Sequence, residues 1–191
     1  MHQATRLLAR VAAAGVLLTA CGGGIAVRTS YDPLTRDLAP LYKTYSWLAV
    51  PAPPQPGDTT SPRDGPHAEE IRRLADEALT AKGYRLTDSA PDFRVGWHLT
   101  GEEPVEAATI NMYYGYTWGR WFPGGGVVFD GGYRAEVPPR SLILDAVDGT
   151  ARELVWRAQV ELDPEDLADP RRREAGFREA IRRMLERFPP K

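Results

Sequence analysis

Two alternating stretches near the end of the chain, residues 141–147 and 152–162, constrain its fold more than anything else. Asp148-Gly149-Thr150 separates them as a turn, so the spacing predicts a β-hairpin. In the second stretch Leu154, Trp156, Ala158, Val160 and Leu162 fall on one face, while Arg157, Gln159 and Glu161 fall on the other. That alternation predicts one core-facing side and one solvent-facing side. A hairpin with an apolar face is marginal alone and needs cover.

The cover is legible in two helical patterns. Between His67 and Lys82 the residues Ala68, Ile71, Leu74, Ala75, Ala78 and Leu79 recur at helical spacing, with acids early, Lys82 late and Gly83 as the stop. Asp169 and Pro170 open a second helix as cap and first residue, and its stripe is Phe177, Ile181, Met184, Leu185 and Phe188, closed before Pro189-Pro190. Further strands are expected at 25–30, at 44–50 with Tyr45, Trp47 and Ala49 on one face, and at 93–99. In the last of these Phe93, Val95, Trp97 and Leu99 alternate with Arg94, Gly96 and His98, the pattern of a strand with one wet face. The expectation is an α+β fold: a two-layer sandwich of a mainly antiparallel sheet, about five strands, and two amphipathic helices. Trp47, Trp97 and Trp156 should share its core. Residues 51–66 carry too many prolines for a regular element and read as a loop.

The beginning of the chain reads as an address. Arg6 and Arg10 lead into an apolar run, residues 11–18, followed by Leu18-Thr19-Ala20-Cys21. Such a run is too short to span a bilayer, which takes about 20 residues, and residues 1–20 read as a signal peptide. Leu-Thr-Ala-Cys resembles the lipobox of bacterial lipoproteins, which implies a membrane anchor through lipid on Cys21. Residues 21–24 are then the lipidated cysteine with a glycine spacer, and residues 25–191 a single domain. Gly22, where Asp would signal retention at an inner membrane, implies outer-membrane sorting with the domain facing the periplasm. Cys21 is the sole cysteine, so the domain has no disulfide and depends on its core. A formal net charge of −2, more acidic once Arg6 and Arg10 are removed, argues against nucleic acid as a partner.

Residues for catalysis do not converge in the sequence. His67 and His98 are far apart without a second cysteine or a histidine pair, so neither a metal site nor a cofactor is expected. His67 reads as first-turn helix and His98 as a strand's polar face. Asp145 and Asp148 flank the hairpin turn and Glu102-Glu103 lie in a loop, positions where acids cap or solvate. Gly124-Gly125-Gly126 lacks the lysine of a phosphate loop, and Arg171-Arg172-Arg173 reads as a solvated helix face. Residues 101–133, rich in glycine and aromatics, form the anomaly. Tyr113, Tyr114, Tyr116, Trp118, Trp121 and Phe122 are a candidate binding surface, since such side chains offer large rigid contact faces. The competing reading is a hairpin folded over the sheet, or a low-complexity insertion.

Several short motifs carry a family resemblance. They are Asp37-Leu38, Tyr42-Lys43-Thr44-Tyr45-Ser46-Trp47, Ala75-Asp76-Glu77-Ala78-Leu79, Lys82-Gly83-Tyr84, Pro91-Asp92-Phe93-Arg94-Val95, Leu142-Ile143-Leu144-Asp145 and Leu154-Val155-Trp156-Arg157. Their order and spacing resemble the bacterial envelope lipoproteins grouped as domain of unknown function 4136. The resemblance implies a lipidated extracytoplasmic domain and supplies no catalytic residues. The expected function is a non-enzymatic, lipid-anchored envelope lipoprotein that binds a protein or peptidoglycan partner. Two alternatives stand beside it: a structural or stress-associated envelope factor without a specific ligand, and a small glycan or lipid hydrolase.

Overall fold

A computed structural model describes residues 25–33, 35–49, 67–114, 128–130, 136–151 and 153–191. The predicted hairpin is its centre. Strands β8 (Ser141–Asp148) and β9 (Leu154–Glu161) pair antiparallel, and β4 (Phe93–Leu99) and β1 (Val27–Tyr31) flank them, also antiparallel. On the far side of β4 lie β2 (Thr44–Trp47) and the two-residue β3 (Arg85–Leu86), both running parallel. β6 (Val128–Asp130) closes the opposite edge against β1. The main sheet therefore has seven described strands in the order β3-β2-β4-β8-β9-β1-β6 and is mixed, where about five mainly antiparallel strands were expected. The parallel part follows from α2 (Ala68–Ala81), which stands between β2 and the next strands in sequence. A chain that leaves a strand, crosses through a helix and returns to the sheet re-enters in the same direction.

α2 and the last helix, α5 (Pro170–Leu185), lie on one face of this sheet, and their predicted stripes are buried apart from Ala68 and Ala78, which are half-buried at its margin. Gly83, at φ +91°, ends α2 in a left-handed conformation that suits glycine. The Asp169 side chain accepts from the amides of Arg171 and Arg172, the cap its position implied. Phe93, Phe188 and Trp156 form an aromatic chain through the core, with centroids 5.2 and 5.0 Å apart. Trp97 and Trp156 are buried as expected, while Trp47 sits at the margin of the same core.

The opposite face is not wet. Ile143, Val147 and Leu154 are buried there with Ile110 of α3 (Ala107–Tyr114) and Val137 of β7 (Glu136–Val137), which pairs with β5 (Val105–Glu106). Both faces of β8 are covered, so the expected two-layer sandwich does not describe this sheet. Part of the segment read as a loop at 101–133 supplies the cover, through β5 and α3. Remaining elements are a short helix α1 (Thr35–Leu38), a 3-10 turn at Ala39–Leu41, and α4 (Pro164–Ala168). Residues 1–20, the Gly22–Gly24 spacer and the proline-rich 51–66 lie outside the described residues.

One register assignment is corrected. The β8–β9 pairing shifts between Ala146 and Val147, so that Ala146 faces Trp156 and Val147 faces Leu154. Val155 is the extra residue of this bulge, and it joins Trp156 in the core under the helices while Leu154 turns to the other face. The turn that follows β8 is held tightly. Gly149 donates to the Asp92 carbonyl at 2.9 Å, and a Cβ at Gly149 would lie 1.9 Å from the Pro91 carbonyl oxygen.

Two substitutions test this packing. Trp156→Ala removes one end of the aromatic chain and the largest fully buried side chain of the core, and the expected loss is about 3–5 kcal/mol by chemical denaturation. Gly149→Ala forces a backbone collision that no rotamer relieves, with an expected loss of about 1–3 kcal/mol. An unchanged denaturation midpoint in either variant contradicts the register described.

Candidate functional site

The second face of the sheet carries a row of buried polar side chains. Asp145 in the middle of β8 stands directly opposite Arg157 of β9. Arg157 Nε donates to Oδ1 of Asp145 at 2.7 Å and Nη2 donates to Oδ2 at 2.8 Å, a two-pronged ion pair. Nη2 also donates to Oδ1 of Asn111, on α3, at 2.9 Å. The Arg157 and Asp145 side chains are only 7% and 1% exposed. Two charges in so dry a place persist because each satisfies the other's hydrogen-bonding groups in a matched planar geometry.

His98 lies one row along on the same face, in register with Ile143 and then Gln159 across β4, β8 and β9. It is buried, and its imidazole pKa is pushed down to about 4. Burial is the main cause, the nearby Arg157 guanidinium adds to it, and the Asp145 carboxylate opposes it. Among the described residues, Nδ1 of His98, Oγ of Ser141 and Nε2 of Gln159 are buried on this face without a hydrogen-bond partner. Ser141, His98 and Asp145 are the residue types of a hydrolytic triad. Their geometry is not one: both Asp145 oxygens are engaged by Arg157, and Nδ1 of His98 bonds to neither neighbour.

These positions correct several expectations. Arg157 is buried and Gln159 half-buried, so of the three residues expected in solvent only Glu161 is exposed. His98 is inside a covered face and does not meet water as a strand's polar face would. Asp145 is not a turn residue; Asp148 is, and its Oδ1 accepts from the amides of Thr150 and Ala151. The two carboxylates point to opposite faces, since Oδ2 of Asp148 accepts from the Tyr42 hydroxyl on the helix side. The physical signal was present in the sequence, for a charged residue inside the run Leu142-Ile143-Leu144-Asp145-Ala146-Val147 marks a strand covered on both sides. Asn111 had no comparable signal, because its role depends on where α3 is laid down.

A second set of carboxylates ties the sheet together on its other side. Oδ2 of Asp92 accepts from the amides of Lys43 and Thr44 at 2.7 and 2.8 Å and from the Thr44 hydroxyl at 2.9 Å. The Lys43 amide, with that of Thr44, lowers its acid below the usual carboxylate value against an opposing effect of burial. Oδ1 of Asp76 on α2 accepts from the Tyr45 hydroxyl at 2.6 Å and from Trp47 Nε1 at 3.1 Å. Burial and this bond raise the phenol of Tyr45 above its ordinary value.

Of the other residues weighed in the sequence, those that the structure describes join neither group. His67 stands at the N-cap position of α2, half-buried, its ring 5.6 Å from that of Phe177. Glu102 and Glu103 are exposed, and Glu102 pairs with Arg140. Arg171 and Arg172 are exposed, while Arg173 reaches Glu70 at 3.4 Å. Tyr113 and Tyr114 end α3, but their side chains, together with Tyr116, Trp118, Trp121, Phe122 and Gly124–Gly126, lie outside the described residues. Cys21 does so too. Among the described residues no group of three or more His, Cys, Asp or Glu is placed to hold a metal ion.

These features define an α+β domain built on a mixed sheet with a buried ion pair. The family model described as domain of unknown function DUF4136 matches residues 27–190, and the chain belongs to that family. A crystal structure of a DUF4136 family protein from Bacteroides thetaiotaomicron VPI-5482 is similar over 87% of this chain and 96% of its own, at 18% identity and a TM-score of 0.54. A PelC dodecamer from Paraburkholderia phytofirmans is similar over 84% of this chain and 94% of its own, at 13% identity and a TM-score of 0.40. No curated protein matches the chain.

Two measurements probe the polar row. Arg157→Met leaves the Asp145 carboxylate buried without its partner, and the expected loss of stability is about 3–5 kcal/mol. The double variant Asp145→Leu with Arg157→Met should recover most of that loss; an equally unstable double variant contradicts the pairing. His98 binds its proton more weakly in the folded than in the unfolded chain, so its contribution is fully present above pH 6.5 and is lost as pH falls through about 4. His98→Gln should flatten the fall in unfolding free energy across that window, and parallel curves for the two proteins would refute the assignment.

Proposed function

We propose that this chain is a lipid-anchored envelope protein whose folded domain is a non-enzymatic binding module. The observation that carries the reading is the sequence Leu18-Thr19-Ala20-Cys21 placed directly ahead of the domain, since Ile25, four residues on, already packs against the core. Cleavage before Cys21 and acylation of its thiol leave only Gly22, Gly23 and Gly24 as a spacer. Acyl chains with no polybasic stretch beside them then supply the membrane attachment.

The chemistry of the polar row supports the non-enzymatic part. A carboxylate gripped at both oxygens by a buried guanidinium is not free to move a proton, and a histidine with its pKa near 4 is neutral at ordinary pH. Contact with a protein or peptidoglycan partner falls to the aromatic sequence, Tyr113, Tyr114, Tyr116, Trp118, Trp121 and Phe122, whose side chains bring stacking faces without a nucleophilic histidine, cysteine or lysine. The outer membrane, facing the periplasm, is the proposed location.

Replacement of Cys21 by Ser should move the protein from the membrane fraction to the soluble fraction. Mass spectrometry of the wild-type amino terminus should show an acylated cysteine. A mature wild-type protein with a free thiol at Cys21 would sink the proposal.

A further inference from the structure

Resting on the anchored reading above, we infer that one particular end of the sheet faces the lipid surface: the end carrying Val27, Val160, Leu142 and Leu99. Chain length sets the orientation. From Cys21 to Ile25 there are four residue steps, which reach at most about 14 Å even fully extended. Ile25 is packed against the core and continues into β1 at Val27, so the fold grips the chain from Ile25 onward. The acylated cysteine therefore stays within that short radius of Ile25.

Strand register states which part of the molecule this is. Val27 pairs with Val160, Val160 with Leu142, and Leu142 with Leu99. The backbone closes the same end, with Arg140 donating to Gly101 and Leu162 donating to Arg140, each at 2.9 Å. α4 and the start of α5 follow directly from the end of β9. Glu103, Glu161, Asp163 and Glu165 are exposed in these segments beside Arg171 and Arg172 at the start of α5, so this end carries both signs of charge, and the tether is what holds it near the headgroups.

The opposite end is carried away from the bilayer. β8 and β9 each have eight residues, which span about 27 Å. At their far end are the turn at Thr150 and the start of β2, in register through Tyr45 and Phe93 with Asp148. Among the described residues the large apolar side chains that are exposed are Leu38, Leu41 and Leu86, at 46%, 70% and 55%. All three belong to this far end: Leu38 and Leu41 lie between the exit of β1 and the start of β2, and Leu86 pairs with Tyr45. The short spacer thus presents the exposed leucines to the aqueous space and the end of mixed charge to the lipid.

The test uses the lipidated mature protein, reconstituted into vesicles whose headgroups carry a nitroxide quencher. Acylation consumes the Cys21 thiol, so single cysteines at Glu103→Cys, Glu165→Cys, Thr150→Cys and Leu86→Cys take a fluorophore selectively. Quenching should be several-fold stronger at the first two sites than at the last two. Inserting a Gly/Ser spacer of about 30 residues after Gly24, with a mean span of about 30 Å, should erase that difference. Equal quenching at all four sites in protein that floats with the vesicles overturns the inference and leaves the anchor standing. Protein that does not float with the vesicles overturns the anchor and the inference together.

Discussion

Burial of β8 on both faces is the constraint on which the rest of this structure depends. A strand covered on one side can leave its other side to water, but Ser141 through Val147 are all buried, so every side chain there needs a partner inside the protein. For the apolar positions α2 and α5 supply it on one side, and α3 with β5 and β7 on the other. For Asp145 only an opposite charge suffices, because an isolated buried carboxylate is among the costliest groups a fold can contain. Arg157 stands directly across the hairpin and is thereby fixed in place. Asn111 then joins the second cover to the pair through the same guanidinium.

The short motifs that carry the family resemblance have a physical meaning of the same kind. Asp92 receives the amides of Lys43 and Thr44, Asp76 receives the side chains of Tyr45 and Trp47, and Asp148 receives the Tyr42 hydroxyl. The one motif Tyr42–Trp47 thus donates to three acids distant in sequence, two of which, Asp76 and Asp92, lie in other motifs of the set. Three carboxylates at the margin of the core hold β2 against β4, α2 and the β8–β9 turn, at a place where β2 is only four residues long and has few ladder bonds of its own. These motifs describe how the fold is stapled, which is why they point to a family and not to a reaction.

Sequence reasoning worked where a pattern repeats within one element. The stripes of α2 and α5, the cap at Asp169, the stop at Gly83 and the central hairpin are each legible because a periodicity of 3.6 or 2 and a local terminus signal agree. It went astray where one element's exposure depends on another. Alternation of polar with apolar residues in β4 and β9 implied water on one face, and the cover from α3, β5 and β7 placed His98 and Arg157 inside instead. The same dependence explains Leu154, whose side was set by a bulge at Val155 that no alternation rule encodes.

By itself, then, the sequence determined the two long helices and the longer strands, where those helices begin and stop, and most of the apolar residues that form the core beneath them. It also carries Leu18-Thr19-Ala20-Cys21, whose resemblance to a lipobox lies in consecutive residues and needs no fold to be read. Tertiary structure alone decided that β2, β3 and β4 run parallel, which elements cover the second face of the sheet, and that Asp145 belongs to Arg157. The reason is that periodicity reports on a chain's own geometry, whereas burial and pairing belong to two segments at once and exist only after both have been brought together.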